Sequence, residues 1–238
     1  MASVVDVTEL INRQKVGKFH LRILILCFLV LVIDGYDAQS IGFAAPALAA
    51  AWHVAKSSFG PIFAAGLLGM ALGALLFGVL ADRFGRRTVI IFCVFFFGIL
   101  TLAKVLVATL GALLVLQFVT GLGVGGAMPN AIALSTEYSP ARVRATSVMI
   151  CLCGFALGAG GGGLLASRLL PAYGWKSMFI LGGVVPLVIG PILVAALPES
   201  ISLMIVLKRS TPQIERLLKK IAPQFSLPAD ATFLVREK

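Results

Sequence analysis

Six long apolar stretches divide the chain, and each is long enough to cross a lipid bilayer as a helix. The hydrocarbon core of a bilayer is about 30 Å thick, which takes roughly 20 apolar residues in helical conformation. The predicted spans cover approximately residues 21–49, 59–80, 88–108, 110–134, 145–170 and 177–197. The sequence therefore predicts an all-α membrane protein with six transmembrane helices.

Composition and charge support this fold class. Hydrophobic residues make up 59% of the 238 residues and charged residues 13%, whereas soluble domains are about half apolar and about a quarter charged. So few charges cannot cover the surface of a soluble domain of this length. The net charge of +10 does not indicate nucleic-acid binding, because basic residues do not alternate with aromatic ones in any stretch.

The distribution of the basic residues predicts the orientation, because Lys and Arg collect in the cytoplasmic loops of membrane proteins. Of the 20 Lys and Arg residues, 16 lie around the start of the first span, in the loops after the second and fourth spans, or after the sixth. Both termini are therefore predicted to be cytoplasmic. We expect residues 1–20 to form a cytoplasmic tail, residues 21–197 a helical bundle, and residues 198–238 the truncated start of a central cytoplasmic loop.

A short amphipathic helix is predicted within this last segment, after Pro212 and over residues 213–221. We expect it to lie against the membrane or the protein itself, with partner binding as the alternative. Its apolar face consists of Ile214, Leu217, Leu218 and Ile221.

Two carboxylates, Asp34 and Asp37, lie deep in the first span and three residues apart, which places them on one helix face. A charge at this depth costs on the order of 3 kcal/mol, so such residues usually face a bundle interior or a water-filled cavity. Two close carboxylates resist ionising together in a poorly solvated site, which suits a proton-coupled carrier. Gly35 between them would allow a bend or the approach of a ligand. The alternative is a structural pair bonded to backbone or a neighbouring helix.

The loop after the second span carries a second pattern, in which Gly85 predicts a tight turn and Asp82 offers a carboxylate to guanidinium groups. The arginines could also serve only as topology anchors. The pattern Gly-x-x-x-Asp-Arg-x-Gly-Arg-Arg consists of Gly78, Asp82, Arg83, Gly85, Arg86 and Arg87.

This loop resembles the signature loop of the major facilitator superfamily, which lies between the second and third helices of its members. The resemblance implies that the loop pairs with neighbouring helix ends and stabilises an outward-facing state. Asp82 and Arg83 would then be gate residues.

The resemblance extends along the chain and narrows to the aromatic acid:proton symporters, in particular the 4-hydroxybenzoate carriers. It rests on Asp34-Gly-Tyr-Asp37 with residues 41–46, on residues 120–130, and on Glu137-Tyr-Ser-Pro140 followed by Arg142 and Arg144. Pro198-Glu-Ser200 is shared more widely, including with sugar porters. The resemblance implies uptake of an aromatic carboxylate with a proton across a bacterial inner membrane, with Asp34 and Asp37 required. It also implies a complementary six-helix C-terminal half as a partner, because carriers of this kind have twelve helices.

Two positions depart from the family pattern. Gln117 lies in the fourth span where the family usually has an arginine, so a permanent positive charge for a substrate carboxylate or the aspartates is missing. Lys104 lies near the end of the third span, and we expect it to snorkel toward the outer interface.

Glycines at positions 154, 158 and 160–163 crowd the fifth span. They indicate close helix crossing, either with bending during transport or as packing alone. We find no metal-ligand spacing, cofactor motif or catalytic constellation, so an enzyme is disfavoured. The alternatives to an aromatic acid carrier are a carrier of another organic acid or a sugar, a non-functional fragment, or a six-helix enzyme or channel.

Overall fold

The computed structural model describes residues 4–14, 16–206, 217–218, 221 and 232–234. Within them, six helices are long and apolar enough to cross a membrane, which confirms the predicted spans and makes the chain a multi-pass membrane protein. Short strands β1 (Val4–Asp6) and β2 (Thr232–Leu234) pair in parallel. The helices are α1 (Val7–Arg13), α2 (Lys18–Trp52), α3 (Gly60–Phe84), α4 (Arg86–Ala103), α5 (Leu110–Glu137), α6 (Ala141–Tyr173), α7 (Lys176–Ala196) and α8 (Ile201–Val206), with 3-10 turns at Lys56–Phe59 and Lys104–Leu106.

The connection between α3 and α4 is shorter than predicted. Helix α3 continues to Phe84 and α4 begins at Arg86, which leaves Gly85 as the single residue between them. Gly85 has φ of +109°, a conformation that side chains with a Cβ rarely adopt. The predicted tight turn at Gly85 is confirmed, and Asp82 and Arg83 lie in the last turn of α3 rather than in a loop.

The bundle is built from close helix pairs, in which α2 packs on α6, α3 on α5, and α4 on both α5 and α7. Gly35, the central residue of α2, lies against the backbone of α6, and a Cβ placed there would be 2.1 Å from the Phe155 carbonyl oxygen. The sequence suggested a bend of the helix or the approach of a ligand at this residue. Gly35 instead allows α2 and α6 to cross closely. Such contacts let two backbones approach closely.

The glycines of α6 divide by face. Gly154, Gly158 and Gly162 contact α2, and a Cβ on Gly158 would be 1.9 Å from the Val32 carbonyl oxygen. Gly160 and Gly161 have no atom of another helix within 4 Å of an added Cβ. The close crossing predicted for this cluster is confirmed for the three glycines spaced four residues apart.

Among the described residues the apolar core consists of two clusters. One lies at the end of the bundle that carries Arg87 and Arg142, which we call the basic end, and the other lies toward the opposite end. Large apolar side chains remain exposed on α3 and α6, including Leu67, Leu75 and Leu164, as expected for surfaces that meet lipid.

Parts of both terminal segments pack on the basic end. In the N-terminal segment, expected to be a tail, Val7 and Ile11 of α1 are buried in the core. Leu217, Leu218 and Ile221 of the predicted amphipathic helix are helical and contact the same cluster. This agrees with an apolar face turned toward the protein; the rest of that helix lies outside the described residues.

Candidate functional site

Asp34 and Asp37 flank the midpoint of α2 and are almost completely buried, with 0% and 1% of their surfaces exposed. The Thr101 hydroxyl of α4 donates a hydrogen bond of 2.6 Å to Asp37 Oδ1. Neither carboxylate oxygen of Asp34 has a hydrogen-bond partner among the described residues. The two aspartates thus share a helix face, as expected, but differ in their surroundings.

A cavity of about 280 Å³ opens beside Asp37. Its wall brings Asp37 of α2 together with Gln117 of α5, and the aromatic rings of Phe63 and Phe155 line it as well. Asp34 is not part of this wall. Of the three residues predicted to couple proton and substrate, Asp37 and Gln117 therefore line one cavity. Asp34 is buried in the bundle outside the cavity wall.

Gln117 is buried, with 5% of its surface exposed, and its Oε1 atom has no hydrogen-bond partner within the described part of the chain. Its amide lies against Gly66 of α3, where an added Cβ would be 3.0 Å from Nε2. An unpaired amide oxygen in a cavity wall is available to a ligand that donates a hydrogen bond. The site therefore offers a carboxylate, an amide and aromatic rings.

The expectation that Lys104 reaches the outer interface is wrong. The side chain is fully buried, and Nζ lies 5.7 Å from the centre of the Phe179 ring. Helix α4 ends where a 3-10 turn begins at Lys104. Lys104 lies three positions, about one helical turn, after Thr101, whose hydroxyl bonds to Asp37. The sequence singled out Lys104 as unusual but did not predict that its side chain is buried in the bundle.

Tyr36 belongs to the Asp34-Gly-Tyr-Asp37 motif, but the sequence predicted no role for it. Its hydroxyl donates a hydrogen bond of 3.0 Å to the carbonyl oxygen of Met178 in α7. The bond joins α2 to α7 next to Asp37. Its only sequence signal was its place between the two aspartates.

At the basic end, the turn between α3 and α4 contacts Glu199. The backbone N–H groups of Arg87 and Ser200 donate to Glu199 Oε1 at 3.1 and 2.9 Å. A Cβ on Gly85 would be 2.4 Å from Glu199 Oε2, so the carboxylate fits against a glycine. The Arg87 guanidinium also donates to the carbonyl oxygen of Val194 in α7. Sequence reasoning missed Glu199, although its signal was the Pro198-Glu-Ser200 run.

The end of α5 joins the same cluster. Glu137 Oε1 accepts hydrogen bonds from the Ser200 hydroxyl at 3.0 Å and the Ser202 backbone N–H at 2.6 Å. The Tyr138 hydroxyl donates to the Glu199 carbonyl oxygen. Burial raises the pKa of Tyr138 well above its ordinary value, so the hydroxyl stays protonated and can act as a hydrogen-bond donor. These hydrogen bonds link the turn at Gly85 and the end of α5 to the segment before α8.

Other predicted gate and loop residues are not part of this cluster. Asp82, Arg83 and Arg144 are exposed, and among the described residues Asp82 has neither an ion pair nor a hydrogen bond. Arg86 is half-buried, and Gly78 has open space around it. Arg142 donates a hydrogen bond of 2.7 Å to the Gln14 carbonyl oxygen and so holds the segment before α2.

Comparison with known proteins places this architecture. The chain is 42% identical to the 4-hydroxybenzoate transporter PcaK of Pseudomonas putida over 98% of its length and 52% of that protein. It is 38% identical to a gallate transporter of Pseudomonas putida, over 98% of its length and 51% of that protein. The chain thus spans about half the length of these curated relatives.

Solved structures show the same fold. The inward-open structure of the xylose transporter XylE from E. coli superposes with a TM-score of 0.73 at 21% identity, covering 86% of this chain and 53% of that one. The six helices therefore have the arrangement of half of such a transporter. The profile of the Major Facilitator Superfamily matches residues 27–228. On this match and this fold, the chain belongs to the major facilitator superfamily.

Proposed function

We propose that the chain is the N-terminal six-helix half of a carrier that moves an aromatic carboxylate, such as 4-hydroxybenzoate, together with a proton across a bacterial inner membrane. The observation that carries the proposal is the cavity between α2, α3 and α5, with Asp37 and Gln117 in its wall. Its volume of about 280 Å³ is just below the range of about 300–1,000 Å³ found for small-molecule sites. This size suits a compound with a single ring.

The side chains around the cavity favour an aromatic acid over a sugar. Phe63 and Phe155 offer ring faces and edges to an aromatic ligand. The amide of Gln117 can bond to a hydroxyl or a carboxyl group of the ligand. The names of the relatives reported above, which are 4-hydroxybenzoate and gallate transporters, point to the same class of substrate.

Asp37 is the group that we assign to proton exchange, because it both lines the cavity and has a polar partner in Thr101. Asp34 supports it from the same helix face, one turn away. An ionisable residue inside a membrane bundle marks a proton or ion path by default. Protonation of Asp37 would be linked to binding of the acid.

The basic end acts as a gate in this proposal. Glu199 holds the turn at Gly85 and Arg87, and Glu137 holds the segment before α8. Asp82, Arg83 and Arg86 are exposed or half-buried next to this cluster and would bond to a second half in one state of an alternating-access cycle. The distribution of the basic residues supports a cytoplasmic location for this end and for both termini.

A reconstitution experiment tests the proposal. Proteoliposomes carrying this chain with the complementary half of a close relative are expected to accumulate labelled 4-hydroxybenzoate when the proton gradient points inward. The chain alone is expected to show no uptake. Failure of the combined halves would favour a non-functional fragment, and uptake of a sugar or another organic acid in place of 4-hydroxybenzoate would change the substrate class. Conductance or turnover by the chain alone would favour a channel or an enzyme.

A further inference from the structure

Lys104 is a membrane-buried cation that the proposed transport mechanism does not yet use. It lies in the 3-10 turn after α4, and its side chain has no exposed surface. Its Nζ atom makes no hydrogen bond to any described residue. A buried lysine is expensive inside a membrane unless it faces an opposite charge or a water-filled space. We therefore expect an acidic side chain near the ammonium group of Lys104.

The partner that the structure offers is Asp37. Thr101, one turn before Lys104, donates to Asp37 Oδ1 at 2.6 Å, and Lys104 and Asp37 are both buried. The last turn of α4 thus supplies a donor to this carboxylate, and the 3-10 turn that follows carries a cation one turn farther along. Opposite charges buried in the same region of a bundle are expected to attract each other strongly, because the surroundings have a low dielectric constant. The Phe179 ring, 5.7 Å from Nζ, covers another side of the ammonium group and adds a cation–π contact.

Lys104 does not itself line the cavity. Asp37 is part of the cavity wall, whereas Lys104, Thr101 and Phe179 are not. A ligand in the cavity therefore meets the carboxyl group of Asp37 directly and experiences the charge of Lys104 at longer range. The net charge at the wall depends on whether Asp37 carries a proton.

Other ionisable groups around α2 do not share this position. The other ionisable groups nearest to Asp37 or Asp34 are Asp34 and Tyr36 on α2 and Cys93 on α4; all three are buried, and none of them lines the cavity. Glu137 of α5 is half-buried at the basic end. The charged residues of α6 and α7, which also pack against α2, are the exposed Arg142, Arg144, Arg168 and Lys176.

We propose that Lys104 is a positioning residue that serves as the counter-charge of Asp37 and makes the cavity attract an anionic carboxylate only when Asp37 carries a proton. The inference rests on the proposed function and deepens it. With Asp37 ionised, the pair is neutral and the wall offers an anion no net attraction. When Asp37 takes a proton from water in the cavity, the charge of Lys104 is left unbalanced, and a bound carboxylate restores neutrality. One proton and one anion then bind together.

The charge balance also accounts for Gln117. The sequence resemblance described above implies an arginine at that position, and glutamine supplies no charge. Lys104 provides a positive charge from the 3-10 turn after α4, in place of one on α5. Binding of an anion can therefore be linked to a proton without an arginine at position 117.

The first test needs neither ligand nor transport. Thermal unfolding of the purified chain in detergent is measured for Lys104→Met, Asp37→Asn and the double variant. Each single variant is expected to lower the Tm by about 5–10 °C, because it leaves one buried charge unpaired. The double variant is expected to lose much less than the sum of the two. Lys104→Arg should stay near the parent, and Lys56→Met, which removes an exposed lysine, serves as the matched control.

The second test addresses the anion. Binding of 4-hydroxybenzoate to the chain joined with its complementary half is measured by calorimetry in two buffers of different ionisation enthalpy, which reports the protons taken up. The parent and Lys104→Arg are expected to take up about one proton per anion bound. Lys104→Met is expected to bind the anion at least about tenfold more weakly, since one charge interaction of about 1.4 kcal/mol corresponds to that factor.

The outcomes separate the two proposals. Additive Tm losses would overturn the pairing of Lys104 with Asp37. Coupled Tm losses with anion binding and proton uptake unchanged in Lys104→Met would overturn the role in anion binding. Coupled Tm losses with no binding of 4-hydroxybenzoate by the parent would count against the proposed substrate and leave the charge pair supported.

Discussion

The hydroxyl of Thr101 on α4 donates a hydrogen bond of 2.6 Å to Oδ1 of Asp37 on α2, across the interior of the bundle. The bond fixes one oxygen of the carboxyl group that lines the cavity. Thr101→Val keeps the shape of the side chain and removes the donor. We expect the free energy of unfolding to fall by about 1–3 kcal/mol, the cost of leaving a buried acceptor unpaired, as measured by denaturation in detergent.

Thr120→Val is the control for this change. Thr120 is equally buried, but its hydroxyl donates to Leu116 within the same helix, and the carbonyl oxygen of Leu116 keeps its backbone partner. Its loss should be clearly smaller. Equal losses in the two variants would show that the Thr101 bond to Asp37 adds nothing beyond packing.

Neutral substitutions of the two aspartates test proton coupling. Asp34→Asn and Asp37→Asn are each expected to abolish proton-driven accumulation of 4-hydroxybenzoate in the reconstituted carrier, because an amide cannot exchange a proton. The measurement is labelled uptake with and without an inward proton gradient. Accumulation at the parent level in both variants would refute the assignment. Because Asp37 alone lines the cavity, Asp37→Asn should also change binding of the acid, whereas Asp34→Asn should leave it within about twofold.

Replacing Gln117 by arginine, the residue that the sequence resemblance implies there, tests whether positive charge at the cavity wall limits uptake. Gln117→Arg places a permanent charge in the cavity wall next to Asp37. Because Lys104 already supplies a positive charge in our proposal, we expect Gln117→Arg to restore part of the binding lost in Lys104→Met and to leave accumulation by the carrier that keeps Lys104 near the parent level. Gln39→Arg, at another position of the same wall, controls for a general effect of charge. Accumulation clearly above the parent level in Gln117→Arg would mean that positive charge limits uptake and that Lys104 does not replace the arginine.

Glu199 is predicted to hold the basic end together. Glu199→Ala removes the acceptor for the backbone N–H groups of Arg87 and Ser200. We expect a loss of about 2–3 kcal/mol, since hydrogen bonds to a charged group contribute about 1.5–3 kcal/mol. Asp82→Ala, at an exposed carboxylate with no bond to a described residue, should change stability by no more than about 0.5 kcal/mol. The reverse order of the two losses would contradict the observed cluster. Both are read from unfolding in detergent.

Helix crossing at Gly35 is tested by adding a methyl group. Gly35→Ala would place its Cβ 2.1 Å from the Phe155 carbonyl oxygen, so α2 and α6 must separate. We expect a loss of about 1–3 kcal/mol from overpacking. Gly161→Ala, where no atom of another helix lies within 4 Å, should be neutral or stabilising by up to about 1 kcal/mol. A stabilising Gly35→Ala would mean that the two helices do not cross this closely.

Much of this protein was readable from its sequence because bilayer thickness and residue chemistry are local constraints. The length of each apolar run was enough to predict six spans, and the cost of a charge in hydrocarbon singled out Asp34 and Asp37. Gly85 predicted the turn between α3 and α4, since its required backbone conformation belongs to glycine. These features depend on a residue and its near neighbours, so they needed no knowledge of the packing.

What the tertiary structure decided is which residue faces which. Both aspartates share a helix face, yet only Asp37 lines the cavity and accepts from Thr101. Lys104 was expected at the outer interface, and the 3-10 turn directs it into the bundle instead. Glu199 became part of the basic end only when its segment met Arg87, which is 112 positions away. The physical reason is that the direction of a side chain depends on how helices cross and where each one ends, and those are properties of the whole bundle.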